Sequence, residues 1–307
     1  MAEVPLDPAP LRRLPSRRET EGHLAMLLFS ALVAGSFSLG GRVADLVDPV
    51  AFTALRFWVA ALVIGAALGA TGGLRRPRAV WRHGALGVLY ALYFVLMFEG
   101  LKTAPPVSAS AVFTLTPLMA AGFGWLLLRQ RFSARLAAAL ALGGAGAMWV
   151  IFRADVRSLL ALEVGRGEAV YLVGCAAHAL YTPLVARLNR GEGPAEFSLG
   201  VVVAGALLLT VLGAPSILAA DWAAMPALVW ITLIYVAVFA SAGTMVLLQY
   251  AALRLPSAKV MAYTYLVPAW VLLWEEAMGG GHPPALVLLG IALTAAALLL
   301  LLRPERR

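Results

Sequence analysis

Of the 307 residues, 62% are hydrophobic and 13% charged, against roughly 25% charged in an ordinary soluble domain, which excludes a water-soluble globular fold. The net charge of +8 would suit nucleic acid, but the basic residues fall in short segments between long apolar runs rather than along one polar face, so a nucleic-acid partner is excluded and the charge reads as an orienting signal. A single cysteine, Cys175, excludes an intramolecular disulfide and a cysteine zinc cluster.

The chain opens on a polar stretch, residues 1–22, holding Arg12, Arg13, Arg17 and Arg18. No small-residue cleavage pattern follows the first apolar run, so this stretch reads as a cytoplasmic tail rather than a signal peptide. A bilayer-crossing helix takes about 20 mostly apolar residues, and segments of that kind follow at 23–41, 50–69, 83–101, 105–128 and 133–152. A polar stretch with Arg153, Asp155, Arg157, Glu163 and Arg166 separates them from five more, at 168–188, 197–213, 226–249, 255–278 and 283–302, before a basic tail at 303–307. The sequence thus predicts an all-α membrane protein of ten transmembrane helices.

With the amino terminus inside, the cytoplasmic segments hold 17 of the 24 lysines and arginines and the opposite segments hold 5. That asymmetry follows the positive-inside rule and predicts both termini in the cytoplasm of a multi-pass bacterial inner-membrane protein. The two halves also echo each other. Pro105 precedes Pro117 by 12 residues in the fourth span, and Pro256 precedes Pro268 by the same 12 in the ninth, with Leu101-Lys102 and Leu253-Arg254 just ahead of each pair. Five spans per half is an odd number, so the second copy enters the membrane from the other side. The expectation is two inverted five-helix repeats, 23–152 and 168–302, around a site near the midplane.

The runs Phe52-Thr53-Ala54-Leu55-Arg56, Leu101 through Leu115-Thr116-Pro117, and Leu253 through Leu266-Val267-Pro268 carry a family likeness. On them, the span count and the repeat, residues 23–302 resemble the drug/metabolite transporter superfamily, specifically the ten-helix EamA-type permeases. Two departures stand out. The family's glycine-glutamate pair before the fifth and tenth helices is replaced by Leu128-Arg129-Gln130-Arg131 and Gly279-Gly280-Gly281-His282, and Val201 stands at the equivalent of Arg56. The resemblance implies a central cavity lined by spans 1, 3, 4, 6, 8 and 9, with the fifth and tenth peripheral, and alternating access between two faces. In the branch it most resembles, the YddG type, it implies export of aromatic amino acids.

An ionisable residue inside a span costs about 2.5 to 3.5 kcal/mol at mid-membrane on insertion scales, so each is a functional suspect. His178 lies about 15 Å into the sixth span at 1.5 Å per residue, and Tyr171, Gly174 and Tyr181 share its helix face. That face reads either as a cavity wall that bonds or stacks on a solute, or as a structural histidine bonded to a neighbouring helix. Lys259, about one turn inside the cytoplasmic edge, either snorkels to the interface or holds a carboxylate at the inner mouth, with Ser108 at the equivalent place in the first half. Tyr263 and Trp270 share its face. Arg56, roughly 9 Å below the outer surface, reads as a gating or pairing residue or as a structural one bonding nearby carbonyls.

Pro117 and Pro268 each free a backbone carbonyl one turn upstream, which gives a fixed bend or a hinge, with Ser108, Ser110 and Thr114 available to bond such groups or a solute. Tyr90, Tyr93, Phe94, Tyr235 and Tyr265 are candidate cavity lining. Glu99, Glu275 and Glu276 are expected at the interface, so no carboxylate is expected at mid-membrane and any proton coupling would rest on His178. Gly35, Gly40 and the Gly143-Gly144-Ala145-Gly146 run suit close helix contact. No phosphate loop, metal-ligand cluster or catalytic motif is present in the sequence, so no catalytic residue, metal or cofactor is expected.

The expected activity is secondary transport that exports small organic solutes, above all amino acids, aromatic and other neutral ones, by alternating access around a central cavity. A drug or other metabolite permease is the alternative. A lipid-linked substrate flippase stands further off, as does an integral-membrane enzyme, which would need catalytic polar groups gathered at one surface. The expected partners are the solute and the bilayer, and a monomer suffices.

Overall fold

The computed structural model describes residues 17–73, 79–129, 133–161, 164–255, 257–279 and 284–302. Most of the expected tails, Pro256, the Arg75-Arg76 and Arg78 loop, Arg131, Glu163 and His282 lie outside the described residues. Helices run in the order α1 (Arg17–Val43), α2 (Pro49–Ala70), α3 (Trp81–Leu101), α4 (Pro106–Phe113), α5 (Thr116–Leu128), α6 (Ala134–Ile151), α7 (Val156–Ala161) and α8 (Arg166–Leu188). Then come α9 (Pro194–Leu212), α10 (Ala214–Ala219), α11 (Ala227–Ala237), a π-helical turn (Val238–Gly243), α12 (Thr244–Ala252), α13 (Ser257–Ala262), a 3-10 turn (Tyr263–Leu266), α14 (Val267–Ala277) and α15 (Val287–Leu302). No strand occurs among the described residues. The first helix runs Arg17–Val43, so residues 17–22 of the expected tail are helical.

Local chemistry sets several of these boundaries. Asp48 caps α2, its carboxylate accepting from the Val50 and Ala51 amides at 3.0 and 2.9 Å, and Pro49 supplies a pre-set φ at the first helical position. Ser133 caps α6 through the Leu136 amide at 3.2 Å. Eight stretches, with α4–α5 and α11–α12 each taken as one, are long and apolar enough to cross a bilayer, and α15 is a shorter apolar helix, among the described residues.

The expected fourth and ninth spans are both broken. Pro117 is the second residue of α5 and Pro268 the second of α14, and in each case the residue before the half-helix sits near φ −80°: Leu115 at −78° and Leu266 at −85°. A proline there has no amide to give and its ring crowds the carbonyl four residues back. The carbonyl so freed in the fourth span belongs to Phe113, and the Thr116 hydroxyl donates to it at 2.6 Å. Ser110 and Thr114 donate to the Val107 and Ala111 carbonyls at 2.7 Å each, so all three hydroxyls serve the backbone of the break.

The main packing pairs are α3 with α8, α6 with α15, α2 with α9, α3 with α9, α5 with α8, and α1 with α12 and α14. Helices α6 and α15 approach closely because Gly146 faces the Gly290 carbonyl, where an added Cβ would come within 2.6 Å of that oxygen. Gly35 likewise makes room for the Tyr235 ring, whose hydroxyl donates to the Leu32 carbonyl at 2.9 Å. Leu24, Leu62, Leu126, Val211 and Leu299 stay exposed on the outside, as a lipid-facing surface requires. Buried aromatics collect where α1, α3, α4, α8 and the π-helical turn converge.

Candidate substrate site

At this convergence lies a small cavity in which about 10 Å³ is open to the centre of a water-sized sphere, on the order of one water. Its wall is drawn from α1 (Phe29, Val33, Ser36), α3 (Tyr90, Tyr93, Phe94, Met97), α4 (Phe113), α8 (His178), the π-helical turn (Ala240) and α12 (Thr244, Leu248). Spans 1, 3, 4, 6 and 8 therefore meet the expected lining, while no described residue of the expected ninth span lines it.

His178 is the centre of an aromatic stack. Its ring lies 4.5 Å from that of Tyr93 at 22°, 5.6 Å from Phe113 at 29° and 6.0 Å from Tyr181 at 14°, all stacked geometries. Tyr90 stacks in turn on Tyr181 at 5.3 Å and on Phe57 at 5.6 Å. The imidazole is only 3% exposed, and neither ring nitrogen has a hydrogen-bond partner among the described residues. A neutral imidazole brings one donor and one acceptor, and leaving such groups unpaired in a buried setting costs about 1 to 3 kcal/mol each. The reading of His178 as a structural histidine bonded to a neighbouring helix finds no bond to support it. The helix face predicted from the spacing of Tyr171, His178 and Tyr181 does turn inward: all three are buried, and Tyr171 donates to the Tyr93 hydroxyl at 3.1 Å.

Other predicted residues lie elsewhere. Tyr263 shares a 2.9 Å hydrogen bond with His23 Nδ1 at the start of α1, and the half-buried Lys259 sits close enough to His23 to act on it electrostatically. Trp270 donates its indole N–H to the Ser30 hydroxyl at 3.1 Å. Ser108 donates to Glu168 at 2.7 Å, and that carboxylate is 4% exposed at the start of α8. The structure tucks Glu168 against α4 through Ser108, while Gly167 lets the start of α8 close on the Gly100 carbonyl at the end of α3. Phe29, Val33, Ser36, Met97, Thr244 and Leu248 were not singled out from sequence, since a lone apolar or hydroxyl residue in an apolar span carries no signal of which way it faces.

Arg56 is fully buried beside this cavity. Its Nε donates to the Ser241 hydroxyl at 2.5 Å and its Nη2 to the Ala240 carbonyl at 2.9 Å, while the guanidinium carbon lies 3.5 Å from the centre of the Phe94 ring. The π-helical turn presents that hydroxyl and that carbonyl together, and such turns concentrate at functional sites. The Ser241 hydroxyl itself donates to the Val236 carbonyl at 2.8 Å.

Outside the spans, Arg82 at the start of α3 joins the loop between α8 and α9: its Nη2 donates to Glu192 at 2.5 Å and its Nη1 to the Leu188 carbonyl at 2.6 Å. The Arg82 guanidinium beside it holds the Glu192 carboxyl down at about 2, far below the usual carboxylate range. Arg42 on α1 pairs with Glu275 on α14 at 3.1 Å, and Lys102 with Glu99 at 2.6 Å.

Comparison with known proteins agrees with this architecture. The sequence profile of the EamA-like transporter family matches residues 20–152 and again 165–303. An uncharacterized transporter of Bacillus subtilis, YyaM, is 24% identical over 262 residues, 84% of this chain and 86% of that protein. The aromatic amino acid exporter YddG of Ancylobacter novellus is 36% identical over 130 residues, 41% of this chain and 42% of the exporter. A solved crystal structure superposes with a TM-score of 0.70 over 94% of this chain and 97% of that one, at 23% sequence identity, which establishes a shared fold. The chain therefore belongs to the EamA-like transporter family of the drug/metabolite transporter superfamily, and is a multi-pass transporter of the bacterial plasma (inner) membrane rather than an enzyme.

Proposed function

We propose that this transporter exports amino acids, aromatic and other neutral ones, through the cavity around His178 by alternating access. The observation that carries the reading is the buried imidazole whose two nitrogens face no partner among stacked aromatic rings. Tyr93, Phe113 and Tyr181 offer flat faces for a planar side chain or an ammonium group, with stacking worth about 0.5 to 1.5 kcal/mol per ring pair. The imidazole offers one hydrogen-bond donor and one acceptor to a polar head group. The likeness to the aromatic amino acid exporter over part of the chain supports the same substrate class.

In this reading the ten spans form two inverted five-helix repeats, 23–152 and 168–302, with both termini cytoplasmic and a monomer as the working unit. Two features support the repeat. The fourth and ninth spans break at the same relative place, before Pro117 and Pro268. The packing also pairs off as a two-fold axis requires, α2 on α9 and α6 on α15, with α3 on α8 matched by α12 on α1. The cavity has room for on the order of one water, far too little for an amino acid. Opening must separate the aromatic layers, and Pro117 and Pro268 are the hinges we assign to that movement.

The test is uptake of labelled amino acids, aromatic and aliphatic, into proteoliposomes of purified protein, with and without a pH gradient, for wild type and His178→Ala. Saturable uptake that the variant loses supports the proposal. If no amino acid moves above empty liposomes, the amino-acid reading falls.

A further inference from the structure

We infer that Arg56 is the group that recognises the carboxylate of the transported solute, so that a free carboxylate, rather than aromatic character alone, defines the substrate class. This rests on the cavity at His178 being the solute site.

Arginine stays protonated in proteins, and a buried charge needs a partner of opposite sign or a full set of hydrogen bonds. Arg56 has neither. It is 0% exposed, seven residues into α2, and it takes part in none of the four ion pairs formed among the described residues, which are Arg17–Glu21, Arg42–Glu275, Arg82–Glu192 and Lys102–Glu99. Among the described residues, the titratable side chains nearest to bearing on its charge are the neutral phenols of Tyr90, Tyr93 and Tyr171, with no carboxylate among them. One whole nitrogen, Nη1, lacks any hydrogen-bond partner among the described residues. Arg82 is the informative contrast in charge: it is equally buried, but the Glu192 carboxylate pairs with it.

The position of the unfilled charge supplies the ligand. Phe94 and Ala240, the ring and the carbonyl that touch the guanidinium, also line the cavity, together with Tyr90 and Tyr93. The cation thus lies directly behind the cavity wall, fixed by Ser241 and the π-helical turn. A carboxylate would take up the guanidinium's remaining donors with charge-assisted hydrogen bonds. The amino acid's side chain would then extend toward the stacked rings around His178.

The experiment measures inhibition of labelled phenylalanine uptake by unlabelled phenylalanine, phenylalanine amide and phenethylamine in proteoliposomes, for wild type, Arg56→Lys and Arg56→Gln. Wild type should prefer the acid over the amide and the amine by about 10- to 100-fold, the range set by losing a hydrogen bond to a charged group. Arg56→Gln should raise the KM for phenylalanine by a similar factor and bring the acid-to-amide preference close to one, and Arg56→Lys should recover part of it. A merely structural arginine would change the amount of folded carrier without altering that preference. Equal inhibition by acid and amide in wild type, which needs no variant to fold, overturns the assignment and leaves amino-acid export standing. Unaltered preference in a folded Arg56→Gln also overturns it, and failure of every amino acid to move overturns both readings.

Discussion

At the residue scale, His178 separates two roles that a truncation to alanine would merge. In His178→Phe the ring stays to stack on Tyr93, Phe113 and Tyr181, while the unpartnered nitrogens vanish. Replacing an unsatisfied buried polar group by an apolar one of similar shape is neutral or stabilising. The expected outcome is an unchanged or higher thermal midpoint in detergent with transport reduced more than about 10-fold, the loss of one polar contact to solute. Full transport by a folded His178→Phe would remove the imidazole from the pathway. Outside the membrane, Glu192 gives a pH prediction. Its folded-state titration is depressed to about 2 by Arg82, so its stabilisation is fully present above the ordinary carboxylate range near 4.5 and is lost as pH falls toward 2. Wild type should therefore melt above Glu192→Gln at pH 7, and the two midpoints should converge as pH drops through that window. His178 was legible in the sequence because one titratable group in a long apolar run stands out, and its helix neighbours follow from a period of 3.6. Glu168 was not legible: a carboxylate in the first turn of a helix reads as an interfacial residue, and only the approach of α4, with Ser108 donating to it, buries it.

At the element scale, the two halves end their broken spans alike and with different residues. Beyond the Met278 cap of α14, Gly279 turns the chain at φ +73°, a conformation that costs glycine nothing. At the matching end of α5 stands Arg129, at φ +51°, where a side chain pays about 1 kcal/mol or more. Arg129→Gly is expected to raise stability by about 0.5 to 1 kcal/mol, read as a higher midpoint in detergent; a lower midpoint would contradict the strain. The glycine run on α6 divides the same way. A Cβ on Gly146 would meet the Gly290 carbonyl at 2.6 Å, whereas one on Gly144 has open space within 4 Å. Gly146→Ala should therefore lose stability, and Gly144→Ala should gain about the 1 kcal/mol that separates the two residues in helix propensity. Equal behaviour of the two would refute the close approach of α6 and α15. Proline positions announced the breaks in the fourth and ninth spans, since the missing amide is a local property. The π-helical turn at Val238–Gly243 had no such marker. Val-Phe-Ala-Ser-Ala-Gly reads as ordinary helix, and only the Arg56 guanidinium, reaching across from α2 to Ser241 and Ala240, gives the turn its partner.

At the scale of the whole molecule, apolar run lengths gave the order of the helices, because a bilayer imposes a length on every segment that crosses it. They did not say that the ninth span would stay out of the cavity. That depends on how α13 and α14 pack against α5, α4 and α1, a matter of tertiary geometry with no local signature. In the proposed reading, the small cavity and the paired breaks belong to a carrier that exposes one binding site to each side in turn. The most direct test is counterflow: proteoliposomes preloaded with unlabelled phenylalanine are diluted into trace labelled phenylalanine, and internal label is followed over time. Alternating access predicts that label rises transiently above its equilibrium level and then decays, because outward movement of unlabelled solute resets the site for inward return. Label that merely equilibrates, or does not enter at all, would contradict a phenylalanine carrier of this design.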